Sequence, residues 1–351
     1  MKSKALIVAC MSLSVAASLS ACTPPSVEQK LPKQMGNATP VASPKQEKSD
    51  DQLLGTVVNV SSLDGIEDLE AVDNTLALRS GATVLMGTVE EFKAGEHASL
   101  SVDEACGDIT TSGEEFILAC PDGIYSIDAT ASSPAATRVQ ETPYAVTSAV
   151  KTSSGSYLAA GADKPEVLMY DKDGQTTIRT EGITDQLVSV AQDSGEDAVY
   201  RINREKTIIQ NIYLDKQSSG AVLRVGLGVG QVSAAEQGMA LTADAVGHQF
   251  GVYFAHDVIR LHQTTPTAGQ SVWDVAWDAK NKHVWAATTS DNKLRGYDIS
   301  SGSGEEKFQL DTVMDARNLT TVADGSLVAA SATSPKVHII DAATLRTTAR
   351  S

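Results

Sequence analysis

Six aspartates recur at an almost constant spacing. Asp128, Asp171, Asp215, Asp257, Asp298 and Asp341 stand 43, 44, 42, 41 and 43 residues apart, and each closes a short apolar run. Carboxylates on a fixed beat could gather round a divalent ion or share protons in acid–base work. Other groups able to do chemistry are sparse. The six histidines, His97, His248, His256, His262, His283 and His338, include no i, i+4 pair of the kind that holds zinc on a helix. Neither a Gly-x-Ser-x-Gly elbow nor a Walker loop is present. Gly226-Leu227-Gly228-Val229-Gly230 could suggest a phosphate cradle, but no helical pattern follows it, and it reads as a connecting turn. No residue set here defines a reaction, so no cofactor and no metal site is assigned.

The elements that carry the aspartates are more informative. Upstream of them lie seven strand cores, beginning at Leu76, Ile117, Leu158, Val199, Met239, Trp285 and Val328, with steps of 41, 41, 41, 40, 46 and 43 residues. Two landmarks with one period mark a repeat architecture. Turn clusters such as Ser153-Ser154-Gly155 and Ala323-Asp324-Gly325 separate short strands, and each unit parses as four of them. The third unit divides at about 145–150, 156–161, 166–170 and 176–180. Seven such units predict an all-β fold, a seven-bladed β-propeller of four-stranded antiparallel blades. An open solenoid would need polar capping units at both ends, and none is visible. Two segments, 54–60 and 345–350, could supply the last outer strand; 54–60 has the better strand composition and is expected to close the ring.

This geometry sorts residues by rim. One rim collects the starts of the first strands and the loops between second and third strands. Candidate binding residues there are Asp68, Asp108, Asp185, Gln186, Gln231, Arg317 and Asn318, with Arg204, Lys164 and His248 from the loops. Arg79 and Arg201 interrupt strand cores of small residues, so they point into the channel or pair with a carboxylate. A solvated ring of strand starts would look the same. The periodic aspartates fall on the opposite rim, where an Asp side chain can accept from N–H groups two residues on and hold the turn. Trp273, Trp277 and Trp285 fall in the sixth unit; Trp273 and Trp277 share strand parity, which suits packing between blades or a sugar platform.

The N-terminus has a different character. Lys2 and Lys4 precede an apolar run from Ala5 to Ala17, too short to span a bilayer and suited to a signal peptide. It ends in Leu19-Ser20-Ala21-Cys22, which resembles the lipobox of bacterial lipoproteins. That resemblance implies cleavage before Cys22 and its lipidation, hence residues 1–21 as signal peptide. Residues 22–52, with Pro24, Pro25, Pro32, Pro40 and Pro44 among polar residues, are expected to be a disordered tether, and 53–351 the propeller. Of the remaining cysteines, Cys106 and Cys120 flank a hairpin centred on Gly113 and are expected to form a disulfide, with a metal or redox role as the alternative. The formal net charge is −16 and becomes −18 once the two lysines of residues 1–21 are removed, which argues against nucleic acid as a partner.

Met169-Tyr170-Asp171-Lys172-Asp173-Gly174-Gln175 and Ile339-Ile340-Asp341-Ala342-Ala343-Thr344-Leu345 resemble the YVTN type of propeller repeat. The layout of lipobox, Pro-rich segment and acidic propeller is similar to actinobacterial prolipoproteins of the LppL sort. Together these imply a monomeric protein anchored by lipid to the extracytoplasmic face of the cell membrane. It would bind or scaffold an envelope protein, lipid or glycan. The alternative is a lactonase-like, metal-dependent hydrolase using rim carboxylates.

Overall fold

The computed structural model of the chain describes residues 35–193 and 195–348. The expected signal peptide, Cys22 and residues 22–34 of the expected tether lie outside the described residues. The rest forms seven four-stranded antiparallel sheets, and in six of them each strand is paired with its sequence neighbour. Blades 1 to 6 span 68–101, 109–141, 148–179, 186–224, 229–266 and 272–311. Blade 7 takes its first three strands from Ala316–Thr321, Leu327–Ser331 and Lys336–Ile340, and its fourth from Thr56–Asn59.

Burial explains why the second strands read as unbroken apolar runs. Successive side chains of a strand point to opposite faces, and here both faces meet another blade. In blade 3, Leu158 and Ala160 pack with Leu187, Val199 and Ile212 of blade 4. Ala159, between them, packs with Ile117, Ala119 and Ile124 of blade 2. Seven such apolar clusters exist, one at each blade interface. The fourth strands lie outermost, as in Thr137–Glu141, where four of five residues are exposed.

The N-terminal strand closes the ring, as its composition predicts. Thr56 to Asn59 pair antiparallel with Ile339 to Lys336. Gly55 makes the approach possible: its φ is +97°, and a Cβ there would stand 2.3 Å from the Ile339 carbonyl oxygen. Residues 345–348, weighed above as a rival outer strand, belong instead to the helix Ala342–Thr348.

Five of the six periodic aspartates sit at the turn from third to fourth strand, whereas Asp341 follows the third strand of blade 7 and leads into the helix Ala342–Thr348, because the fourth strand of that blade comes from the N-terminal side. Oδ1 of Asp128, Asp171 and Asp298 accepts from the N–H two residues on, at 2.8, 2.8 and 2.9 Å. The other three do not make that bond. Asp257 accepts from Val258 and pairs with Arg260, Asp341 pairs with Lys93, and the Asp215 N–H donates to Glu196. Blade 1, which lacks the aspartate, has the helix Val89–Ala94 at this turn. Thr88 and Glu91 form a reciprocal capping box at its start.

Cys106 and Cys120 are joined by a disulfide. Replacing both with serine should lower stability by about 3 kcal/mol, the contribution of closing a loop of this length. Denaturant unfolding with and without the substitutions measures it, and an unchanged midpoint would show the bridge to be dispensable.

Candidate functional site

The first strands surround the axis, and every blade interface there is tied by a polar side chain. Asp68 Oδ2 accepts from the Ile109 N–H. Thr110 Oγ1 donates to the Ala149 carbonyl at 2.7 Å, and Ser148 Oγ accepts from the Leu187 N–H at 2.9 Å. Gln186 Oε1 accepts from the Val232 N–H at 3.0 Å, and the Ser233 hydroxyl donates to Asp274 Oδ1 at 3.4 Å. Asp274 Oδ2 accepts from the Leu319 N–H at 2.7 Å, and Asn318 Nδ2 donates to the Ile66 carbonyl at 2.8 Å, completing the circle. Three of the expected rim residues, Asp68, Gln186 and Asn318, are therefore fasteners between blades.

Inside this circle lies a cavity of about 170 Å³ walled by first-strand residues including Glu70, Ser233, Asp274, Trp277 and Thr320. It is acidic. Burial, then the charge of Asp108, raises the carboxyl of Asp68 above the usual range. Burial also raises Asp108, against the pull of Arg204 and Arg79. Asp274 is pushed up to about 7 by burial, although two backbone N–H groups favour its charged form. Glu70 is partly buried and lines the cavity; burial, then the charges of Asp68, Asp274 and Asp108, hold it well above the ordinary glutamate value. Among the described residues no three His, Cys, Asp or Glu side chains are grouped as metal ligands.

At the rim above it the structure brings Arg204, Asp185 and Gln231 together. The Arg204 N–H donates to Asp185 Oδ2 at 2.7 Å, its Nε to the Gly230 carbonyl at 2.8 Å, and its Nη2 to Gln231 Oε1 at 2.8 Å. Arg79 pairs with Glu67 at 2.9 Å and Arg317 with Asp315 at 3.2 Å, the carboxylate pairing expected of Arg79. Arg201 does neither of the things expected of it. It is fully buried and donates to Gln210 Oε1 at 2.7 Å, Thr184 Oγ1 at 2.8 Å and the carbonyls of Gly182 and Ile183. Burial pushes its guanidinium down to about 10. It braces the segment that carries Asp185. Lys164 lies over the Tyr144 ring, and His248 Nδ1 accepts from the Ser271 N–H.

Two features were not legible beforehand. Residues 35–52, expected as part of a free tether, form a strap held against this rim from blade 4 to blade 7. The N–H groups of Gly36 and Asn37 donate to the carbonyls of Leu227 and Arg204, and Val41 N–H to Ser271 Oγ. The Ser43 hydroxyl donates to the Thr289 carbonyl and accepts from Asp315 N–H; Lys48 pairs with Asp311, and Asp50 with Lys336. The one available signal was that residues 35–44 carry no charge between Lys33 and Lys45. The second feature is Asp244. The Gly-rich run is the connecting turn expected, and its Leu227 and Gly228 amides donate to this buried carboxylate at 2.9–3.2 Å. A β-bulge falls at Trp273, between Val272 and Asp274, and the Trp273 ring lies against Gly230 of blade 5. Trp277 and Trp285 pack in different interfaces, between blades 5 and 6 and between blades 6 and 7.

No protein-family model matches the sequence, and no curated protein matches it either. Solved structures do resemble it. A chain of a mitotic checkpoint complex superposes with a TM-score of 0.64 at 12% identity, over 87% of this chain and 97% of that one. The WD40 β-propeller domain of Doa1 gives 0.60 at 12%, over 82% and 96%. The streptogramin B lyase structure gives 0.63 at 10%, over 84% and 99%. At these identities the likeness is one of fold. The protein is a seven-bladed β-propeller, a fold that does not by itself define a function.

The channel acids make a pH prediction. A carboxyl raised in the folded state, as burial raises Glu70, favours the fold most when protonated, so its contribution falls as pH rises from the ordinary carboxylate range toward the higher value of the folded state. Glu70→Gln should therefore raise Tm by a few degrees at about pH 8 and leave it unchanged at about pH 5. Equal shifts at both pH values would remove Glu70 from the titrating set.

Proposed function

We propose that the protein is a lipid-anchored propeller on the extracytoplasmic face of the cell membrane, where it binds or scaffolds another envelope component. The observation that carries the binding reading is how the polar groups are used. Ring residues that could serve chemistry are committed to neighbouring blades, while loops of the strap-bearing rim differ from blade to blade. The strap occupies that rim from blade 4 to blade 7. This reading places the partner on the remaining arc, over blades 1 to 3, where Asp103, Asp122, Asp163 and Lys164 stand in the loops. An acidic arc of this kind suits a partner with a basic surface.

The location rests on sequence features and one bond. Lys2, Lys4, the apolar run and Leu19-Ser20-Ala21-Cys22 have the layout of a lipoprotein signal, as in the LppL-like prolipoproteins. The Cys106–Cys120 disulfide is in keeping with an oxidising exterior. A lipidated Cys22 would supply the anchor. The likeness to streptogramin B lyase keeps enzymatic propellers in view, but the metal-dependent hydrolase finds no ligand set among the described residues.

Fractionation of cells producing the full chain tests the anchor. The wild type should sediment with membranes and Cys22→Ala should be released; identical partitioning of the two would rule the lipid anchor out. Crosslinking in cells tests the surface. Charge reversal at Asp103, Asp122 and Asp163 should abolish the principal crosslink, whereas an unaltered crosslink pattern would place the partner elsewhere.

A further inference from the structure

His338 stands on the third strand of blade 7, fully buried, with both ring nitrogens engaged. Nε2 lies 2.7 Å from the carbonyl oxygen of Leu54, at the point where the strap becomes the closing strand. Nδ1 lies 3.0 Å from Thr312 Oγ1, in the connection from blade 6 to blade 7. A carbonyl only accepts, so Nε2 carries the proton and the Thr312 hydroxyl donates to Nδ1. One neutral imidazole thus ties together the strap, the third strand and the preceding blade.

We propose that His338 is a proton-sensitive latch: its protonation releases the strap and the closing strand, residues 35–59, while the other six blades stay folded. The charged groups on the elements packed round it offer the imidazolium little compensation. On the strap, Asp50 is committed to Lys336 and Lys48 to Asp311. Lys336 is on the same strand as His338, and Asp311, beside Thr312, also pairs with Lys293. The flanking strands place Ala329 and Val57 opposite His338, neither of them charged.

The direction of the effect follows from burial, which holds the imidazole below its ordinary value against the Leu54 carbonyl and the charge of Asp50. The closed state therefore binds the proton less readily than the open one. Its extra stability is complete above about pH 6.5 and is lost as pH falls from there through the lower value of the closed state. Asp50 does not share this transition, because its hydrogen bond with Lys336 keeps it below the usual carboxylate range. The channel acids act in the opposite sense, tightening the ring as pH falls. Release frees about 25 residues, on the order of 80 Å of extended chain.

Hydrogen exchange on the full chain, read by mass spectrometry at about pH 7.5 and about pH 5.5, tests the latch. After correction for intrinsic rates, exchange in peptides covering 54–59 and 336–340 should rise several-fold at the lower pH relative to peptides of blade 3. In His338→Gln, which keeps a donor for Leu54 and does not titrate, that rise should vanish; His338→Asn is the second non-titrating variant should the first fail to fold. A wild type with no relative rise overturns the latch. So does a rise that survives in a folded non-titrating variant.

Discussion

Closure is the constraint on which the rest of this structure depends. A blade buries both faces only if it has a neighbour on each side, so seven apolar clusters can be completed only when the last blade meets the first. The cluster that does this joins Leu76, Leu78 and Leu85 of blade 1 to Val328, Ala330, Val337 and Ile339 of blade 7. Without it the second strands of two blades would each expose an apolar face. The chain supplies the missing outer strand from its N-terminal side, so that residues far apart in sequence share one sheet.

The polar architecture follows from the same constraint. Around the axis the first strands come close together, and their backbone groups need partners across each interface. Side chains from Asp68 round to Asn318 provide them. Burial of carboxylates in and beside that ring raises Asp68, Asp108, Glu70 and Asp274, and neighbouring carboxylate charge adds to the rise at Asp68, Asp108 and Glu70. The acidic channel is thus a consequence of how the ring is fastened. Arg204 and Arg79 partly offset it from the rim.

The repeat was legible because it rests on pattern. Leu158-Ala159-Ala160 and its six counterparts mark second strands wherever they occur, and the aspartates mark one kind of turn. The disulfide was legible because a hairpin sets its two cysteines near each other. What escaped were contacts set by single side chains with no period. Nothing about Arg201 distinguishes a residue facing the channel from one enclosed by carbonyls of its own blade connection. Asp68, Gln186 and Asn318 stand at strand starts, and only the position of the next blade shows that they turn toward it. The strap was not legible because its attachment uses backbone amides, the Ser43 hydroxyl and two isolated charges, Lys48 and Asp50, and its composition is that of a linker.

Truncation tests the central claim most directly. A chain beginning at residue 61 lacks the strap and the closing strand, and its melting can be compared with that of a chain beginning at residue 22. The account predicts that the shorter chain melts at a lower temperature than the longer one and recovers when a peptide of residues 35–60 is added in trans. A shorter chain that melts cooperatively at the same temperature as the longer one, with no response to the peptide, would contradict it.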